Sequence, residues 1–237
     1  MKLQFLGTGS IGASAAPLTS FLIDEAILFD IGTSTIRQLQ TLHADISKIK
    51  YIIITHHHSD HLSDMITFLA KRLVIYGQTL QPLTIIGPKD IKNAIKDIVR
   101  IYFANEERPI NYVDSMTYLE LTDNNVQLDN YNITAHTVLH GACVPCNGYQ
   151  INQLGFSGDS AKCPGLDAIV EQSQILFLDS TLKEANTYGH LNLDGILEYA
   201  KQYPEKHFYL IHRGEGYSLS NLPKNVTAPK DGDIIEL

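Results

Sequence analysis

Tyr51-Ile52-Ile53-Ile54-Thr55-His56-His57-His58-Ser59-Asp60-His61 sets four of the chain's ten histidines directly after a short apolar run. The run reads as a buried strand. Histidines and an aspartate delivered at its C-terminal end would stand beside a core, where only a metal or a hydrogen-bond network compensates such groups. Alternate residues of an extended segment face the same side, so His56 and His58 can grip one ion while His57 faces away. Asp60 and His61, where the chain turns into a helix, can then reach a second ion.

Three further residues of ligand type follow strand-like runs: His140 after Thr134 to Leu139, Asp159 in Phe156-Ser157-Gly158-Asp159-Ser160, and His212 after Phe208 to Ile211. His43, His57, His136 and His207 read as ordinary core or surface histidines.

The remainder of the chain reads as a globular frame for these residues. Of 237 residues, 44% are hydrophobic and 19% charged, enough for a large core and too apolar for disorder. Three cysteines do not make a disulfide scaffold, which points to a reducing compartment. No apolar run approaches the roughly twenty residues of a membrane span. Met1 to Gly7 resembles a first strand more than an export signal, so a cytoplasmic protein is expected. A net charge of −8 disfavours long nucleic acid. With no linker, low-complexity tract or repeat, residues 1–237 read as one domain.

Strands are expected at Leu3–Leu6, Phe21–Ile23, Ala26–Phe29, Tyr51–Thr55, Leu83–Ile86, Ile133–Val138, Leu154–Ser157, Ile175–Leu178 and His207–Ile211. Helices are expected at Lys89–Phe103, His61–Arg72, Leu193–Lys201 and Leu166–Gln172. This mixture implies layered sheets and helices. Gly7-Thr8-Gly9-Ser10-Ile11-Gly12 has dinucleotide-loop spacing, but Pro17 and a strand-like run follow it where that loop needs a helix; a tight turn with close backbone approach is the better reading. Cys143 and Cys146 have the spacing of a zinc knuckle, with Cys163 as a third sulfur, yet no fourth ligand is evident and packed thiols are expected.

The H-x-H-x-D-H at 56–61, then a lone His, a Gly-Asp-Ser and a last His, resembles the metallo-β-lactamase superfamily. Phe5-Leu6-Gly7-Thr8-Gly9-Ser10, Leu28-Phe29-Asp30-Ile31-Gly32 and Ala228-Pro229-Lys230-Asp231-Gly232-Asp233 resemble its ribonuclease Z-like phosphodiesterase branch. The resemblance implies an α/β fold, a four-layer αβ/βα sandwich. It also implies two zinc ions, one held by His56, His58 and His140, the other by Asp60, His61 and His212, with Asp159 bridging; manganese or iron suits the same ligands. Ions about 3.5–4 Å apart would acidify a shared water and neutralise charge on a phosphodiester. Asp60 could also orient that water.

By the same resemblance His190 assists at the phosphate, and Glu184 upstream is the candidate to orient it. Enzymes of this branch that mature transfer RNA carry a long arm between the lone His and the bridging Asp. Here His140 and Asp159 are 19 positions apart, and no Lys/Arg run substitutes for the arm. Asn192 stands where the branch has Thr. The expected substrate is therefore a small or cyclic phosphodiester, with a lactone, thioester or arylsulfate as the alternative. Transfer RNA 3′-processing is less favoured, and a binding protein without turnover would have lost ligands that this chain keeps. A homodimer is expected by analogy alone.

Overall fold

In the computed structural model, which describes residues 1–13, 16–75, 83–104, 106–143, 145–182, 189–215 and 219–237, the strand-forming runs gather into two seven-stranded sheets. Each sheet belongs to one of two units. The first comprises Met1–Gly7, Pro17–Glu120 and Asp231–Leu237, the second Thr8–Ala16 and Leu121–Lys230. Elements are numbered in chain order.

The first unit contains β1 (Lys2–Gly7), β2 (Ser20–Ile23), β3 (Ile27–Phe29), α1 (Thr35–Thr41), β4 (Tyr51–Ile53), α2 (Ser59–Leu62) and α3 (Met65–Ile75). It continues with β5 (Thr84–Gly87), α4 (Ile91–Tyr102), α5 (Glu107–Ser115), β6 (Thr117–Glu120) and the last strand, β14 (Ile234–Glu236). The sheet order is β14-β1-β2-β3-β4-β5-β6. Pairing is antiparallel up to β3 and parallel from β3 to β6. The three β4 residues are all buried, as expected of a strand flanked by parallel neighbours with helices packed over it. Ile91, Ile95 and Val99 put one stripe of α4 into a core shared with Phe68 and Leu69 of α3 and with Ile52 and Ile85.

The second unit contains β7 (Asn125–Leu128), β8 (Tyr131–Thr137), β9 (Asn147–Ile151), β10 (Leu154–Phe156), α6 (Pro164–Gln172), β11 (Ile175–Asp179), α7 (Leu193–Gln202), β12 (His207–Ile211) and β13 (Val226–Thr227). Its order is β13-β12-β11-β10-β9-β8-β7, antiparallel from β7 to β10 and parallel from β10 to β13. Phe156, Phe177 and Tyr209 stack on adjacent strands at centroid spacings of 4.6 and 5.2 Å. Leu166 and Ile169 of α6 and Ile196 and Tyr199 of α7 bury against Leu176, Leu178, Phe208 and Leu210.

Two expectations change. The helix expected at His61–Arg72 is split into α2 and α3, because the Asp64 N–H donates to Ile31 O at 2.9 Å and its carboxylate accepts from Ile36 N at 3.0 Å. The polar strands β6, β7 and β9 lack the continuous apolar signature of those found from sequence. The glycine loop opens no helix: a Cβ on Gly7 would lie 2.1 Å from Leu18 O, the close backbone approach the sequence implies. Among the described residues no helix is long and apolar enough to cross a membrane.

Candidate metal centre

In the first unit, β4 hands the chain to Thr55 and His56, and α2 then presents Asp60 and His61. His56, Asp60 and His61 are buried, and His58 is exposed. The His56 ring lies 4.6 Å from that of His58 and 4.2 Å from that of His61, centroid to centroid. Asp30, one residue past β3, supports this group. Its carboxylate accepts from the Thr55 backbone N–H at 2.8 Å and pairs with His61 Nδ1 at 2.7 Å. A carboxylate on Nδ1 sets the tautomer that leaves Nε2 as the ligand atom, the usual support for a metal-binding histidine. His61 Nε2 is 3.6 Å from Asp60 Oδ2. Gly32 makes the packing possible, since a Cβ there would stand 1.7 Å from Asp60 O.

In the second unit, Asp159, Asp179 and His212 all lie at or just beyond the C-terminal ends of the parallel strands β10, β11 and β12, and therefore along one edge of the sheet. Loop pairings bring two more histidines to that edge. Leu139 bridges Ala161, which sets His140 Nε2 3.7 Å from Asp159 Oδ2. Leu182 bridges Asn192, which returns His190 beside β11. His212 Nε2 is 3.4 Å from Asp159 Oδ1, and its ring stacks on that of His190 at 5.5 Å. Asp159, Asp179, His190 and His212 each offer a ligand atom, all within 4.8 Å of one another.

Here too Nδ1 atoms are engaged on the far side. His140 Nδ1 donates to Gly189 O at 3.0 Å, and His212 Nδ1 meets Thr181 Oγ1 at 2.6 Å. Gly189 has φ +85°, and a Cβ on it would lie 2.0 Å from Gly141 N. Buried imidazoles with Nδ1 tethered and Nε2 beside carboxylates form a donor set that suits a divalent cation.

Asp179 is the hub of the second unit's edge. It accepts from Thr181 N at 2.9 Å, Thr181 Oγ1 at 2.7 Å and Ser160 N at 3.2 Å, and it pairs with His190 Nδ1 at 2.7 Å. Burial works against its charge, but the hydrogen bonds from His190 and His212 outweigh this and hold the carboxyl below its ordinary value. For His190, burial alone would lower the pKa; the hydrogen bond and charge of Asp179, with Asp159 behind it, raise it instead.

Of the residues expected from sequence, one unit thus groups His56, His58, Asp60 and His61 and the other His140, Asp159, His190 and His212. Glu184 lies outside the described residues, and the carboxylate on His190 is that of Asp179. Asp30, Asp179 and Thr181 were not singled out by the sequence, although each acid ends an apolar strand just as the ligand segments do. His57, His136 and His207 are pushed down by burial, as for packed neutral imidazoles. No disulfide joins the cysteines; Cys146 Sγ donates to Asp159 O at 3.6 Å, and Cys163 Sγ contacts Ser160 Oγ at 3.6 Å.

A family profile described as a beta-lactamase superfamily domain matches residues 25–213. A ribonuclease Z of Ligilactobacillus salivarius is 32% identical over 168 residues, 67% of this chain and 50% of that protein. One of Methanococcus maripaludis is 33% identical over 158 residues, 65% of this chain and 48% of its own. The chain thus spans about half the length of these curated relatives. Among solved structures, the short form of human tRNase Z superposes with a TM-score of 0.79 at 20% identity, covering 100% of this chain and 99% of that one. A diphosphatase of the PhnP family gives 0.76 at 20% identity, covering 100% and 97%. These structures share the mixed α/β fold with two sheets. With four-fifths of its length matched by the profile, the chain belongs to the β-lactamase superfamily.

Proposed function

We propose that the two units make up one hydrolase domain and that the chain is a metal-dependent phosphodiesterase acting on a small or cyclic phosphodiester. His56, His58 and His140 would hold one divalent ion, Asp60, His61 and His212 a second, with Asp159 shared between them; zinc suits these ligands best, and manganese or iron also fits. Such ions supply an activated water and positive charge for the phosphate oxygens.

The chain's own part is to orient and to move a proton. Asp30 and Thr181 fix the tautomers of His61 and His212. Asp179 accepts a hydrogen bond from Nδ1–H of His190, and on the doubly protonated imidazolium the second proton, at Nε2, is the one directed at the leaving oxygen. The observation that carries the reading is the 2.7 Å pair of His190 with Asp179, set beside an Asp159–His212 contact of 3.4 Å. A phosphodiester's alkoxide needs such a donor, whereas ring opening of a lactone demands it less. The names of the relatives, ribonuclease Z, also favour phosphodiester chemistry.

RNA processing is the second reading, favoured by those same names. The net charge of −8 and the separation of only 19 positions from His140 to Asp159 favour the small diester. The test is a panel of bis(p-nitrophenyl) phosphate, a lactone, a thioester, an arylsulfate and a transfer RNA precursor, assayed on zinc-loaded protein of measured metal content. Diester hydrolysis dominating the panel supports the proposal. Rapid lactone opening without diester hydrolysis overturns it, and efficient precursor cleavage replaces the small diester with RNA.

A further inference from the structure

A cavity of about 470 Å³ opens beside His190 in the second unit, lined by His190, Lys162, Leu191, Asn192, Asp194 and Glu198 among others. Its volume falls within the roughly 300–1,000 Å³ of small-molecule sites. We propose that this cavity receives the leaving alcohol, and that it selects a small, hydroxyl-rich alcohol carrying no phosphate of its own. This rests on the phosphodiesterase reading above and deepens it.

The position follows from the proton path. With Nδ1–H of the His190 imidazolium bonded to Asp179, its second proton, on Nε2, serves whichever oxygen leaves, so the alcohol departs against the wall that His190 helps to form. Water adds to phosphorus and the P–O bond to the alcohol breaks. The Nε2 proton goes to the alcohol oxygen, and one water proton replaces it on His190. The products are a phosphomonoester and a neutral alcohol.

The selectivity follows from charge. Among the described residues the wall carries one cation, Lys162, against two carboxylates, Asp194 and Glu198. Lys162 is already engaged: its Nζ is 3.6 Å from Glu198 Oε2 and 5.1 Å from the centre of the Tyr199 ring. The N-terminus of α7, which could otherwise attract an anion, is capped by Asn192 Oδ1, accepting from Gly195 N at 3.1 Å, and has Asp194 in its first turn. What remains for a ligand is surplus carboxylate, an acceptor for hydroxyl groups and a repulsive surface for a second phosphate. In a polynucleotide the leaving alcohol is itself a nucleotide with a further phosphate, so the same wall disfavours extended nucleic acid.

The test uses the full chain loaded with zinc and two matched substrates: methyl glyceryl phosphate, and the same diester with a phosphate on the terminal glycerol hydroxyl. Release of glycerol or of glycerol phosphate is followed. The wild type is expected to prefer the unphosphorylated substrate by about tenfold or more in kcat/KM. Asp194→Lys, or Glu198→Gln, which releases Lys162, is expected to shrink that ratio about tenfold. An equal or inverted wild-type preference, or a ratio unmoved in both folded variants, overturns the subsite. Failure of folded, zinc-loaded wild type to hydrolyse any diester, bis(p-nitrophenyl) phosphate included, overturns the phosphodiesterase reading and the subsite with it.

Discussion

His190 Nδ1 lies 2.7 Å from Oδ2 of Asp179, a carboxylate that is fully buried at the end of β11 and also accepts from Thr181 and Ser160. One acid thus positions the proposed proton donor and, through the Thr181 hydroxyl, the His212 imidazole. Asp179→Asn is expected to lower kcat by about 10²–10⁴-fold, the usual worth of positioned acid–base catalysis. A loss of stability of about 1–3 kcal/mol should accompany it, from donors left poorly matched. Steady-state kinetics beside thermal unfolding separates the two effects; wild-type turnover in a folded variant contradicts the role.

The same pair makes a pH prediction for the metal-free protein. Asp179 raises the His190 pKa above the ordinary 6.5, so His190 contributes stability that is complete below the unfolded-state value and is lost as pH rises through the folded-state value. In Asp179→Asn the opposing effect of burial remains, and the imidazole should titrate lower. Histidine NMR titration of both proteins reads the shift directly.

Metal binding should stabilise the fold, because ligands from distant parts of the chain come together only in the native state. At free zinc a hundred times Kd, each site adds about 2.7 kcal/mol. Chelation should therefore lower Tm and zinc should restore it, with close to two ions per chain by elemental analysis. A Tm indifferent to chelator and zinc contradicts the assignment of the ligands.

Gly32 makes a sharper test of the first unit. A Cβ at this position would meet the Asp60 backbone oxygen at 1.7 Å, a contact that no side-chain rotation relieves. Gly32→Ala should cost about 2 kcal/mol or more and displace Asp60 and His61. Chemical denaturation and zinc stoichiometry should fall together, whereas an alanine accepted at no cost would show that α2 is not held as described.

The sequence revealed the parts of this arrangement that are local. An apolar strand leading into H-x-H-x-D-H is legible because burial and ligand chemistry conflict within a few residues, and β4 and the His56 to His61 group follow from that conflict. Asp179 was missed because its role is relational. It becomes a partner of His190 only when the Leu182–Asn192 bridge brings His190 back beside β11. Strands β6, β7 and β9 escaped for a different reason: backbone pairing with neighbouring strands holds them without an apolar run, and Gly148 in β9 leaves room for Ile169 of α6, whose Cδ1 would lie 2.5 Å from a Cβ there. Long-range packing of this kind leaves no periodic mark.

The central claim is that a metal-supported His190 protonates the leaving oxygen of a phosphodiester. The most direct measurement is kcat/KM of zinc-loaded wild type and His190→Ala on methyl glyceryl phosphate, whose leaving alkoxide needs a proton, and on a lactone, with zinc content determined for both proteins. The account predicts diester hydrolysis by the wild type, a loss of about 10²-fold or more in the variant and a much smaller loss on any residual lactone activity. Equal losses on both substrates at unchanged zinc content, or a variant that hydrolyses the diester as fast as the wild type, would contradict it.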